Sequence, residues 1–274
     1  MPHPNANNQS AEPVVEVTDL VKRFGPRTVL DHVSLQAMPG ETLVIMGASG
    51  CGKSTLLRNI VGAYMPDSGS IKLFGQEITT MKEREMNEIR KRFGILFQQG
   101  ALYNSMNVGN NVALPLREHT DLDENIIDIM VKMKLELVGL RDFDHLMPAA
   151  LSGGMKKRVG LARAIALDPE ILFYDEPTAG LDPIVAGVID QLIMDLSKRL
   201  GVTSIVVTHD MVSAFKIADK IVMLYDGKVM QTGTPAEIRG SNNRFVRQFI
   251  SGAPDGPIPL RKSMTDYSED LIGR

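Results

Sequence analysis

The chain has 274 residues, 43% apolar and 23% charged, with a formal net charge of −3 and one cysteine. That composition supplies a packed core and excludes a wholly disordered chain. A lone cysteine excludes an intrachain disulfide framework. There is no basic excess or stripe of the kind that tracks nucleic acid, so no nucleic-acid partner is expected.

In chain order, residues 1–13 are polar and rich in Pro and Asn, and read as a flexible lead without the apolar stretch of a signal peptide. Residues 14–20 form a β-rich run and Thr42–Met46 a short buried strand. A Gly-rich turn follows, and residues 54–61 read as a helix. The charge-dense run 82–92 reads as a solvated helix face. From about 100 to 160 the character is helical. There Ile126, Met130, Met133 and Leu137 fall at helical spacing behind candidate caps at Asp121 and Asp123.

Residues 171–174 are an apolar run ending in Asp175 and Glu176. Val185, Val188, Ile189, Leu192, Ile193, Leu196 and Leu200 mark an amphipathic helix. Thr203–Thr208 is β-branched and reads as a buried strand. Residues 221–225, Asp226-Gly227 and 228–231 read as a hairpin. Beyond 244, Phe245, Val246, Phe249 and Ile250 recur at helical spacing. A Gly/Pro segment over 252–260 then excludes regular structure, and Ile258, Leu260, Tyr267, Leu271 and Ile272 follow. An extended Gly/Pro segment reaches roughly 3 Å per residue, enough to carry these apolar residues to a neighbouring subunit. No stretch approaches the ~18 consecutive apolar residues of a spanning helix, so a membrane role needs a partner.

Three motifs carry chemistry. Gly47-Ala48-Ser49-Gly50-Cys51-Gly52-Lys53-Ser54 fits the phosphate-binding loop G-x-x-x-x-G-K-[ST], here between a strand and a helix, with Thr55 next in line. Its glycines let backbone N–H groups turn inward around phosphate, and the helix adds its positive end. Lys53 supplies a cation for the β- and γ-phosphates, and Ser54 a hydroxyl for Mg²⁺. Cys51 is either a thiol activated by the helix end or a spacer packed under the loop. The second motif is the strand end at Asp175 and Glu176. Asp175 is placed to hold Mg²⁺ and Glu176 to polarise an attacking water. The third is Leu151-Ser152-Gly153-Gly154, read as an N-cap at Ser152 and a helix from about Gly154 to Ala166. A helix start with bare N–H groups is a second anion site. One nucleotide already has its phosphates in the first loop, so this site points to completion by a second copy.

In this order, over about residues 14–240, the chain resembles ABC transporter nucleotide-binding subunits. The resemblance implies an α/β fold: a P-loop NTPase (RecA-like) core, an antiparallel β subdomain, and an α-helical subdomain inserted at about 100–160. It implies ATP and Mg²⁺ as cofactors and a homodimer with two shared sites. Phe24 matches the aromatic that stacks on adenine, and Gln98 the Q-loop glutamine that senses Mg²⁺ and γ-phosphate. Asp182 matches the D-loop aspartate, and also suits a cap before Pro183. His209 matches the switch histidine. The strings around Gln98, 155–159 and 249–257 are similar to ATPase subunits of Mla-type lipid transporters, which serve MCE-domain proteins. That likeness implies phospholipid moved between the inner and outer membranes to maintain lipid asymmetry. It implies a position on the cytoplasmic face of the bacterial inner membrane. The implied partners are an integral membrane permease dimer, a small STAS-domain protein and an MCE-domain protein. Residues 99–106, with Leu102, Tyr103 and Met106, are expected to dock a permease helix, and 245–274 to strengthen subunit contacts. Two alternatives stand: an ABC ATPase for another cargo, and a soluble ABC ATPase outside transport.

Overall fold

The computed structural model describes residues 12–258. Most of the expected N-terminal lead lies outside the described residues, as do Leu260, Tyr267, Leu271 and Ile272.

Two sheets organise the chain. β1 (Val15–Phe24) and β2 (Arg27–Ala37) pair with each other, and β1 also pairs with a later strand, all antiparallel. Gly25 takes the positive φ of 58° that a two-residue hairpin turn asks of its first position. Six strands form the second sheet: β3 (Thr42–Met46) near its middle, β4 (Ser68–Leu73) and β5 (Gln76–Glu77) having joined the first sheet in the order β2-β1-β4-β5. The other members are β6 (Phe93–Leu96), β7 (Ile171–Asp175), β8 (Thr203–Thr208), β9 (Lys220–Tyr225) and β10 (Lys228–Gly233). Their order is β10-β9-β3-β8-β7-β6, parallel throughout except for β10.

The parallel strands are covered on both faces, which is why they read as continuous apolar runs. Leu43, Ile45, Phe173, Ile205 and Val207 share one cluster with the β subdomain and with Leu56, Leu57 and Ile60, and Val44, Met46, Leu172, Tyr174 and Val206 share the other, with the helices from Val108 onward. The helices are α1 (Lys53–Ile60), α2 (Glu83–Arg90), α3 (Val108–His119), α4 (Glu124–Leu137), α5 (Gly153–Ala164), α6 (Pro183–Leu200), α7 (Met211–Ile217), α8 (Pro235–Arg239) and α9 (Arg244–Ser251). Of these, α3, α4 and α5 occupy the stretch expected to be helical. The charged run 82–92 is α2, solvated on one side and anchored by buried Met86 and Ile89 on the other.

The helix expected from the spacing of Ile126, Met130, Met133 and Leu137 is α4, and of those four Met130 packs against the core. Ile126, Met133 and Leu137 point outward, with Met133 61% exposed, while Ile127, Val131 and Leu135 enter the core. The helix carries two adjacent apolar stripes, and spacing alone does not say which one is buried. Asp123 is the N-cap, without a side-chain cap bond.

The C-terminal segment is also corrected in part. In α9, Val246 is buried, Phe249 and Ile250 pack on the core, and the Phe245 ring lies 5.1 Å from that of Tyr225. The Gln248 amide donates to Ala253 O at 3.3 Å and Ile258 O at 3.1 Å, and accepts from Ile258 N at 2.6 Å. Residues 252–258 therefore fold back on α9. The extended reach expected of the Gly/Pro segment does not apply to them.

Candidate nucleotide-binding site

The central sheet brings four chain segments to one edge. Met46 pairs with Thr208, Leu96 with Tyr174, and Asp175 with Val207. The residues that follow these strand ends are Gly47, His209, Gln98 and Glu176. In open α/β sheets, ligands bind beyond the carboxyl ends of the strands.

The first loop closes tightly on the sheet. A Cβ on Gly47 would sit 2.1 Å from Leu224 O and 2.9 Å from Cys51 Sγ, so only glycine fits. Cys51 is buried within the apolar cluster that includes Leu30 and Leu56, which makes it the packed spacer. Gly52 sits at the N-cap of α1 with no side-chain cap bond, leaving the helix start open to an anion. Lys53 Nζ donates to Gly47 O at 2.8 Å and Ala48 O at 3.1 Å. Ser54 Oγ donates to Asp175 Oδ1 at 3.2 Å. Burial pushes the Asp175 carboxyl above its ordinary pKa, and the Ser54 hydroxyl opposes that shift.

A cavity of about 290 Å³ joins this loop to the β subdomain. Phe24, Arg27, Val29, Gly50, Gly52, Lys53, Ser54 and Thr55 line it. Phe24 is 46% exposed and meets Tyr64 edge-on at 5.7 Å, so its ring is displayed and is not a core ring. Arg27 and Val29 were not singled out from the sequence. The Gly25-Pro26 turn was the available signal, since it folds both residues back beside Phe24.

Beyond β7 the backbone bends sharply. Glu176 has φ of +49°, rare for a residue with a side chain, and its N–H donates to Val207 O at 2.9 Å. Its carboxylate is mostly buried between two cationic or proton-bearing groups. Oε2 shares a 2.7 Å hydrogen bond with His209 Nδ1, and Oε1 lies 3.9 Å from Lys53 Nζ. Gln98 is exposed two residues past β6.

The third motif sits elsewhere. Ser152 is the N-cap of α5, its Oγ accepting from Met155 N at 3.3 Å. Gly154 abuts α6: a Cβ there would fall 2.4 Å from Val185 Cγ1, and one on Gly153 would touch Leu181 at 3.7 Å. Asp182 caps α6, accepting from Ile184 N at 3.0 Å and Val185 N at 3.1 Å, with Pro183 in the first turn. Among the described residues, none of 151–154 lines the cavity.

The chain is similar to known proteins. The ABC transporter family matches residues 30–179. The intermembrane phospholipid transport system ATP-binding protein MlaF of Haemophilus influenzae is 46% identical over 259 residues, covering 94% of this chain and 98% of that protein. MlaF of Escherichia coli K12 is 45% identical over 264 residues, with 96% and 98% covered. The probable ribonucleotide transport ATP-binding protein mkl of Mycobacterium leprae is 42% identical over 246 residues, with 90% of this chain and 71% of that protein covered. Among solved structures, a dimeric post-hydrolysis state of the ATP-binding cassette MJ0796 with ADP and Pi superposes with a TM-score of 0.75. It is 31% identical and covers 81% of this chain and 98% of that one. The phosphate loop, the paired acidic strand end, the capped glycine helix and the family match converge, and the chain belongs to the ABC transporter family of ATPases.

Proposed function

We propose that this chain is the ATP-hydrolysing subunit of a transporter that moves phospholipid between the inner and outer membranes of a Gram-negative envelope and maintains lipid asymmetry. The observation that carries the chemistry is Glu176 held between His209 and Lys53 beside the phosphate loop. The cargo reading is supported by the MlaF relatives, matched over nearly their whole length.

In this reading Phe24 stacks on adenine, and the amides of 47–55 cradle the phosphates. Glu176 orients the attacking water through the oxygen nearer Lys53, while His209 fixes the other oxygen. Ser54 and Asp175 already share a hydrogen bond, and with Gln98 they offer the hard oxygen donors that Mg²⁺ takes while keeping its own waters. An ion held there would supply positive charge opposite the β- and γ-phosphates. Ser152, Gly153, Gly154 and Asp182 serve the ATP of a second copy: Ser152 opens the start of α5, an anion site separate from the α1 start that follows the phosphate loop. The dimeric cassette MJ0796 supports this pairing.

No helix among the described residues is long and apolar enough to cross a membrane. On the likeness to the MlaF relatives we assign the subunit to the cytoplasmic face of the inner membrane, under a permease dimer and with STAS-domain and MCE-domain proteins in the assembly. Tyr103 is 52% exposed, and Asn111 ties down its backbone by accepting from Tyr103 N and donating to Tyr103 O. Leu102 instead packs on the core, so the expected docking patch narrows around Tyr103. Reconstituting the chain with its membrane partners and following labelled phospholipid tests the proposal. Lipid transfer should require ATP, and Tyr103→Asp should stop transfer while the free subunit keeps its basal ATPase. The mkl relative favours a second reading, transport of another cargo. ATP turnover by the full assembly without any lipid movement would support that reading instead.

A further inference from the structure

We propose that Lys157 is a positioning residue: its buried ammonium locks the turn carrying Glu176 and joins that turn to the helix serving the neighbour's ATP. This rests on Glu176 as the group that orients water. Lys157 lies on α5 and is only 4% exposed. Its Nζ donates to three carbonyl oxygens of one turn: Glu176 O at 3.2 Å, Pro177 O at 2.7 Å and Ala179 O at 2.8 Å. An ammonium has three donors, so the group is saturated. Burial pulls its pKa below the ordinary lysine value, and the Glu176 charge opposes that.

The turn needs such a clamp. Glu176 sits at φ +49°, a conformation that persists only where the surroundings over-determine it. Three carbonyls converging on one buried point are costly unless a donor meets them. Lys157 is that donor, and the direction of the Glu176 side chain follows from the backbone it holds.

The same residue lies on the helix assigned to the neighbour's ATP. Lys157 follows Gly154 by three residues, which places both on one face of α5. Gly154 abuts Val185, beyond the Asp182 cap of α6. At the helix's far end, Arg163 donates to Gly100 O at 3.0 Å and Ala101 O at 2.9 Å, gripping the segment just after Gln98. A shift of Ser152–Gly154 as it closes on the neighbour's nucleotide is therefore transmitted through α5 to this chain's own Glu176.

The test compares full-length Lys157→Met, Lys157→Gln, Glu176→Gln and the Lys157→Met/Glu176→Gln double variant. Steady-state ATPase and binding of a fluorescent ATP analogue are measured for each. Misplacing a reacting group by about 1 Å costs about 100-fold, so Lys157→Met should lose kcat on that scale with nucleotide affinity unchanged. Lys157→Gln keeps two donors and should recover most of the rate. In the Glu176→Gln background, Lys157→Met should add no further loss, because both lesions act on one group. Should Lys157→Met not fold, Lys157→Gln carries the test through a smaller fall in kcat at constant affinity. A slow Glu176→Gln beside fully active Lys157 variants would overturn this proposal alone. So would parallel loss of affinity and kcat, or full additivity in the double variant. Normal turnover in Glu176→Gln would instead overturn the role of Glu176 itself.

Discussion

Glu176→Gln should retain ATP binding and lose about 10²- to 10⁴-fold in steady-state turnover, the usual contribution of a positioned base. The amide has nearly the shape of the carboxylate. The backbone that aims it is held by Val207 O at Glu176 N and by Lys157 at Glu176 O, so the fold should not change. What is lost is the charge that polarises water, together with the acceptor pair shared between His209 and Lys53. Binding without turnover should accumulate a closed, ATP-loaded dimer, visible as a shift in sedimentation on adding ATP. Normal steady-state ATPase in this variant would remove Glu176 from the role assigned to it.

Gly47→Ala should act at the binding step. The new methyl would stand 2.1 Å from Leu224 O, a backbone atom fixed in β9, and 2.9 Å from buried Cys51 Sγ. Neither neighbour is a flexible side-chain tip, so the loop itself must move. Overpacking of this kind costs about 1–3 kcal/mol. Taken from the binding-competent loop, that is about a 5- to 150-fold loss of ATP affinity at about 1.4 kcal/mol per tenfold. Titration with a fluorescent ATP analogue would measure it. Unchanged affinity would show that the close approach of Gly47 to β9 has no part in shaping the site.

Much of the site was legible in the sequence because its motifs are fixed by local geometry. A loop that wraps phosphate needs its glycines and lysine at set spacing, and Ser152 and Asp182 read correctly as caps because capping is a short-range hydrogen bond. The strand β8 was plain because it is β-branched and buried on both faces. Elements whose reason lies in tertiary packing were harder to read. β2 alternates and is interrupted by three register shifts against β1, so its pattern is diluted. Both stripes of α4 are apolar, and packing against α3 and α5 decides between them. Lys157 looks like a surface charge in a basic string. Its burial is intelligible only once the three carbonyls of the Glu176 turn are seen around it. Arg27 and Val29 enter the cavity through the β1–β2 hairpin, which runs well past the β-rich stretch 14–20 legible in the sequence.

The central claim is that each ATP lies between the phosphate loop of one copy and the capped glycine helix of the other. Covalently linked dimers test it through two arrangements of the same pair of lesions. With Lys53→Ala in one half and Ser152→Arg in the opposite half, both lesions fall in one shared site, and one nucleotide per dimer should still be occluded. With both lesions in the same half, each shared site is damaged once, and no nucleotide should be occluded. Equal occlusion in the two arrangements would contradict the shared site, and one nucleotide occluded only when a single half carries both lesions would show that each copy holds a site of its own.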